Sequence, residues 1–313
     1  MDTTPTEASD VDSPWKEALE TYVEDFFAFF FPGIHNAIDW THPPVFLDKE
    51  FQQVVSASEV GRRLVDKLVQ VWRRDGSDAW VLVHAEIQNS PEPAFAQRMF
   101  VYNYRIFDRF ERDVVSLAVL GDTTASWLPT MYARDLWGCR VEFTYPVVKL
   151  HDYRTVRASL EEDRNPFAMV VLAHLGAQDT RGNPPTRLAV KVALTRRLYN
   201  RGYDRAQIVT LYRLIDWLLD LPEAQEKLFW NEIAALEEEK KMVYVTSIER
   251  MGLARGRKEE RREALREVLE ARFGTLPDVL MERLAALDDM DELKALTVRA
   301  ATASSLEEFD RQG

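Results

Sequence analysis

Asp66, Glu86 and Gln88 are the residues whose types and spacing best suit chemistry, and they fall in two short apolar runs. The first run is Asp66-Lys67-Leu68-Val69-Gln70-Val71-Trp72-Arg73. The second extends from Ala79 to Gln88 and contains Trp80-Val81-Leu82-Val83-His84-Ala85-Glu86-Ile87-Gln88. Side chains of a strand alternate between its two faces. One face then carries Val69, Val71, Val81, Val83, Ala85 and Ile87, which are uniformly apolar and expected to lie against a helix in the core. The opposite face carries Asp66, Leu68, Gln70 and Trp72 on one strand, and Trp80, Leu82, His84, Glu86 and Gln88 on the other. Carboxylate, amide and carbonyl oxygens of this kind suit a hard divalent ion such as Mg²⁺. A bound Mg²⁺ polarises a phosphoryl oxygen and lowers the pKa of an attacking water.

The intervening Arg74-Asp75-Gly76-Ser77-Asp78 predicts a hairpin turn. A two-residue Asp75-Gly76 turn would set Val69 beside a residue of the other face. A loop centred on Gly76 keeps the apolar faces together, and core burial favours it because a one-residue slip turns a strand inside out. That register pairs Val69 with Val83 and Val71 with Val81, and it sets Asp66 directly opposite Glu86. Opposed Cβ atoms lie roughly 4.5–5.5 Å apart. Two carboxylates at that distance repel unless a cation or proton stands between them. The same pattern also describes a solvated sheet face bearing two unrelated acids.

These residues resemble a PD-(D/E)xK nuclease core, in the form found in the Rpn family of recombination-promoting nucleases, also labelled transposases. The resemblance rests on Asp66 at the start of a strand, the hairpin, Glu86-Ile87-Gln88 in an apolar strand, and Arg98 and Tyr102 in the following helix. Phe46-Leu47-Asp48-Lys49-Glu50-Phe51 and the Leu-Val-His-Ala-Glu-Ile-Gln run ending at Gln88 are similar too. The resemblance covers about Phe46 to Leu150. Arg272-Phe273-Gly274-Thr275-Leu276-Pro277 and the charged Gly-Arg-Lys-Glu segment resemble the helical tail of the same proteins.

The resemblance implies an α/β (α+β) fold: a restriction-endonuclease-like core with a mixed sheet flanked by helices, followed by a helical C-terminal half. It implies Mg²⁺- or Mn²⁺-dependent endonuclease action on DNA phosphodiesters, in recombination or mobile-element biology. By position, Asp66 and Glu86 would bind the ion, and the Ile87 carbonyl would add a ligand. Glu59, on the preceding helix, is either an outer ligand or an exposed helix acid. Gln97 and Arg98 would face the site, Arg98 holding a phosphate bidentately or forming a structural salt bridge. Gln88 stands where the family pattern usually has lysine. Glutamine carries no positive charge and accepts no proton as a base, but it orients water or ligates through its amide oxygen. Lys67 should point to the opposite face. His84 either assists proton transfer or packs as a hydrogen-bonded core histidine.

These residues must be held by ordinary globular elements. Helices are predicted at Phe46 to Gly61 and Ala94 to Phe110, and strands at Val114 to Leu120 and Val141 to Leu150. Further helices are expected at Arg187 to Tyr199, Arg205 to Leu219, Gly256 to Phe273, about Leu276 to Ala286 and Met290 to Ala303. The expected division is a disordered lead over 1–14, a nuclease-like domain over 15–152, a helical extension over 153–236 and a charged helical region over 237–313. The aromatic run Phe26 to Phe31 is expected in the core rather than as a partner-binding patch.

A net charge of −12 and a pI of about 5.1 exclude a protein that coats polyanions, so contact with DNA would need a local basic surface. The basic Arg255 to Arg262 segment is interleaved with glutamates and reads as a solvated helix face. One cysteine, Cys139, excludes an intramolecular disulfide framework, suits the reducing cytoplasm and is expected to pack near Trp137. His35, His42, His151 and His174 lack metal-ligand spacing, and no phosphate-binding glycine motif occurs. The apolar run at Phe26 to Pro32 is far short of the roughly 20 residues a membrane span needs, and Met1 to Pro14 lacks a signal-peptide pattern. A second functional class remains open on sequence grounds: a degenerate nuclease fold acting as a regulatory module that self-associates through its helical C-terminal region.

Overall fold

The alternating valines of the two apolar runs build the middle of a sheet whose faces are both covered. A computed structural model describes residues 14–52, 64–86, 91–124, 126–274, 276–287, 289–303, 305–306 and 309. The chain forms two compact units, Met1–Glu239 and Lys240–Gly313.

The first unit opens with α1 (Pro14–Thr21), α2 (Val23–Phe30) and α3 (Pro32–Ala37). It continues through β1 (Val45–Phe46), α4 (Asp48–Gln52), the hairpin β2 (Leu64–Trp72) and β3 (Asp78–Glu86), α5 (Phe95–Phe110) and β4 (Val114–Leu120). Then come β5 (Met131–Leu136), β6 (Cys139–Thr144) and β7 (Val147–Lys149), a 3₁₀ turn at Leu150–Val156, α6 (Arg157–Glu162) and α7 (Pro166–Asp179). α8 (Pro184–Asn200), α9 (Arg205–Leu218) and α10 (Glu223–Lys240) follow.

The fold is mixed α/β. Five strands form one sheet in the order β1-β2-β3-β4-β7. β2 runs antiparallel to β1 and β3, while β3, β4 and β7 are parallel. Among the described residues, β5 and β6 pair only with each other. Of the helix expected over Phe46 to Gly61, Asp48–Gln52 is helical and residues 53–63 lie outside the described residues. The strand expected over Val141 to Leu150 is instead β6 and β7, broken at Tyr145-Pro146, because proline cannot donate to a ladder.

Both faces of the hairpin are core. Val69, Val71, Val81 and Val83 are buried on one, and α1 packs against β2. The other face also buries Leu68, Trp80 and Leu82, against Leu47, Phe51, Tyr102 and Ile106 of the α4–α5 side. α5 then continues over Ala118 and Leu120 through Phe95 and Met99. The face that carries Asp66 is therefore core at its Leu68, Trp80 and Leu82 rungs.

α7 is buried from Pro166 through Gly176, the pattern of a helix enclosed on all sides. Asn165 caps it by accepting from Phe167 N–H at 2.8 Å. Gly176 is required here, since a Cβ would meet Val190 Cγ1 at 2.8 Å. The aromatic run packs on α7: Phe26 and Phe30 meet Phe167 at centroid distances of 5.3 and 5.5 Å.

The β5–β6 turn is Trp137-Gly138, with φ of 53° and 84°. Two positive φ values define a type I′ turn. Gly138 takes this conformation freely, whereas a bulky aromatic residue there is strained, by about 1–2 kcal/mol. Cys139 is exposed and Trp137 is 98% exposed, so the thiol does not pack near it in a core as expected. A two-residue tip at the end of a free arm gives neither residue anything to pack on.

The second unit contains α11 (Val245–Phe273), α12 (Asp278–Ala286) and α13 (Met290–Thr302). Leu265, Leu269, Leu280, Leu284 and Leu293 form its own core. Gly274, at φ 81°, ends α11, and its N–H bonds to Glu270 O at 2.9 Å. The basic side chains at Arg255, Arg257 and Lys258 are outside the described residues.

Candidate metal centre

The hairpin register decides how close the two acids come. Val69 pairs with Val81 and Val71 with Ala79, so Asp66 stands opposite His84 and Glu86 opposite Leu64. This corrects the expected Asp66–Glu86 pairing by a shift of two residues. Like residues still share faces, but the turn is built differently. Arg73 N–H bonds to Ser77 O at 2.7 Å, leaving Arg74, Asp75 and Gly76 as the loop. Gly76, at φ 85°, is the last residue of that loop, not its centre. This is the three-residue hairpin whose final position is left-handed. Asp75 fixes it, accepting from Ser77 N–H at 3.0 Å and from the Ser77 hydroxyl at 2.5 Å.

Asp66 and Glu86 are thus diagonal neighbours on adjacent strands. Their backbones are described; the side chains of Asp66, His84 and Glu86 are not, and Glu59, Ile87 and Gln88 lie outside the described residues. Glu86 ends β3. It is in register with Leu120, which is in register with Lys149 of β7. The two acids therefore belong to the edge of the sheet where the parallel strands have their carboxyl ends. Among the described residues, no group of three or more histidine, cysteine, aspartate or glutamate residues could hold a metal.

α5 presents its two candidate residues differently. Gln97 is exposed in the first turn. Arg98 is buried at 7% exposure, bonds to Glu92 at 2.5 Å and lies over the Phe95 ring at 5.5 Å. The guanidinium is thus engaged within the protein. Lys67, next to Asp66 in β2 and so of opposite parity, bonds to Asp48 at 2.8 Å and to Glu20. Burial pulls its ammonium pKa down, but these two carboxylates outweigh that and hold it above the ordinary lysine value.

Sequence reasoning missed a charged pair at the same sheet edge. Lys149, at the end of β7, bonds to Asp122 Oδ1 at 3.1 Å and to the carbonyls of Thr124 and Trp127 at 2.5 and 2.7 Å. Asp122 is fully buried. Its Oδ1 also accepts from Thr124 N–H at 2.7 Å, while Oδ2 has no hydrogen-bond partner among the described residues. The preceding carbonyl, Gly121, lies 2.7 Å from His174 Nε2 and accepts from Gln178 at 2.6 Å. Burial lowers the His174 pKa, so the ring is neutral at pH 7. The signal in the sequence was a charged residue at each apolar strand end, Asp122 after β4 and Lys149 closing β7.

No family model, curated protein or solved structure matches the chain.

Proposed function

We propose that the Met1–Glu239 unit is a nuclease that hydrolyses DNA phosphodiester bonds with Mg²⁺ or Mn²⁺ held by Asp66 and Glu86. One observation carries this reading. The two acids stand a diagonal apart on adjacent strands, Asp66 opposite His84 and Glu86 two residues further, at the carboxyl edge of the parallel strands where open α/β sheets place their ligands. Diagonal residues lie about 7–8 Å apart, a span that two carboxylates and one octahedral ion can close. When bound, the ion supplies polarisation of the phosphoryl oxygen and an activated water.

The chain's own residues divide the remaining work. The Ile87 carbonyl adds a ligand, Glu59 is an outer ligand, and Gln88 orients water through its amide in the absence of a lysine. Gln97, exposed at the start of α5, meets the DNA backbone. Arg98 supports that turn through Glu92 rather than gripping phosphate itself.

Incubation of the purified full chain with supercoiled, linear and single-stranded DNA and Mg²⁺ or Mn²⁺ tests the proposal. Cleavage by the wild type, lost in Asp66→Asn and in Glu86→Gln with unchanged thermal unfolding, is the expected result. A wild type that cuts none of these substrates and shows no Mn²⁺ binding by calorimetry would overturn it, in favour of a catalytically degenerate fold with a binding role.

A further inference from the structure

The β5–β6 arm ends in exposed apolar side chains. Trp137 is 98% exposed and Leu136 65%. The register pairs Leu136 with Cys139, Arg134 with Val141 and Tyr132 with Phe143, so these six residues share one face. At the arm's base, Tyr132 and Phe143 lie on Phe100 of α5, with centroids 5.0 and 5.8 Å away. Phe100 also stacks on Tyr104 at 6.3 Å. Tyr104 and Phe107, 53% and 52% exposed, follow along the outer side of α5. One unit thus carries a projecting apolar knob and an exposed aromatic patch, joined by a row of rings.

Charge divides in the same way. Arg134, on the apolar face of the arm, has no ion-pair partner among the described residues. Asp108, exposed beside Phe107 and one helical turn from Tyr104, has none either. The knob is therefore accompanied by an unpaired cation and the patch by an unpaired anion. A second copy of the chain would offer each the opposite charge.

We propose that the arm is a dimerisation element. Leu136 and Trp137 of one copy pack on Tyr104 and Phe107 of a second, Arg134 faces the partner copy's Asp108, and the exchange is reciprocal about a twofold axis. A surface tryptophan flanked by apolar neighbours is the kind of side chain that dominates an interface. Nucleic acid is the weaker occupant. The arm's charges cancel, Arg134 and Arg140 against Asp135 and Glu142, and Arg140 already bonds to Glu142 at 2.5 Å. A wedge into a duplex needs several cationic side chains for the flanking phosphates, and on the arm only Arg134 is without an ion pair among the described residues. The proposal is independent of metal binding and of the Lys240–Gly313 unit.

Sedimentation equilibrium of the full-length protein over a range of concentrations tests it, with DNA binding followed in parallel. The wild type is expected to dimerise. Trp137→Ser and Phe107→Ser should each raise the dimer dissociation constant about tenfold or more, while thermal unfolding at dilutions where the wild type is monomeric stays unchanged. Arg134→Asp should weaken the dimer, and combining it with Asp108→Arg should restore it. A wild type that stays monomeric, a dimer indifferent to Trp137→Ser, or a charge swap that fails to rescue would each overturn the proposal. So would a Trp137→Ser variant that loses DNA binding while its mass distribution is unchanged, an outcome that would make the arm a nucleic-acid wedge.

Discussion

Asp66 pairs with His84 across the β2–β3 ladder, and Glu86 stands two residues beyond that partner. The offset makes the candidate centre sensitive to side-chain length. A pair of directly opposed acids would tolerate a shorter member, because roughly 4.5–5.5 Å separates their Cβ atoms. A diagonal pair must reach further. Glu86→Asp, which removes one methylene and keeps the charge, is therefore expected to weaken Mn²⁺ binding at least about tenfold, whereas Asp66→Glu should largely retain it. Calorimetric titration of the two variants checks this, and equal losses in both would contradict the diagonal arrangement.

Lys149 and Asp122 form an ion pair enclosed in protein, their side chains 2% and 0% exposed. Removing one member strands the other's charge away from water, at a cost of about 3–5 kcal/mol. Asp122→Ala should lower stability by that amount in urea unfolding. The double replacement Asp122→Leu with Lys149→Met should cost less, because it removes both charges together. The pair also anchors the 121–127 segment to β7 through the Thr124 and Trp127 carbonyls, so Asp122→Ala should increase proteolysis in that segment.

His174 makes stability depend on pH. Its folded pKa lies below the ordinary value of 6.5 because burial disfavours the imidazolium. Well above pH 6.5 the ring is neutral in both folded and unfolded chains, and its full contribution is present. As pH falls below 6.5 the unfolded chain takes up a proton that the folded chain refuses. Stability then declines by up to about 1.4 kcal/mol per pH unit until the folded pKa is passed. Unfolding midpoints measured between pH 7.5 and 5 should fall more steeply for the wild type than for His174→Gln. Parallel curves for the two would remove His174 as the source.

Period-two and helical patterns made the sheet core legible. β4 covers Val114–Leu120 as the sequence predicts, and α5 covers Phe95–Phe110 against an expected Ala94 to Phe110. Elements without a one-sided pattern were not legible. α7 lies within the expected helical extension over 153–236, but it is apolar all round, so no amphipathic signal marks its bounds. β5 is largely exposed along Met131–Leu136, so no alternation marks it. The register of the acids failed for a local reason. The parity argument from Val69 and Val81 holds for either three-residue loop, and only the left-handed φ at Gly76 and the Asp75–Ser77 bonds choose between them. Asp122 and Lys149 were passed over because each looks like an ordinary charge at a strand end until burial puts them together.

Trp137 occupies a turn position better suited to asparagine, and that substitution separates stability from association. With both turn residues at positive φ, an Asn-Gly pair fits the type I′ geometry without the strain of a bulky side chain. Trp137→Asn should therefore stabilise the arm by about 1 kcal/mol, read as slower amide exchange at Arg134 and Val141, whose strands the turn holds together. The same change removes the exposed indole, so the dimer should weaken as the arm becomes more rigid. The sole thiol reports the second effect. Cys139 shares the apolar face with Leu136, and its alkylation by a maleimide should slow as wild-type concentration rises but stay constant in Trp137→Asn. A bulky residue at positive φ on an exposed tip, where no packing of its own chain explains it, fits the proposed contact of the indole with a second copy. An arm that exchanges no more slowly in Trp137→Asn, with thiol reactivity independent of concentration in both proteins, would remove that explanation.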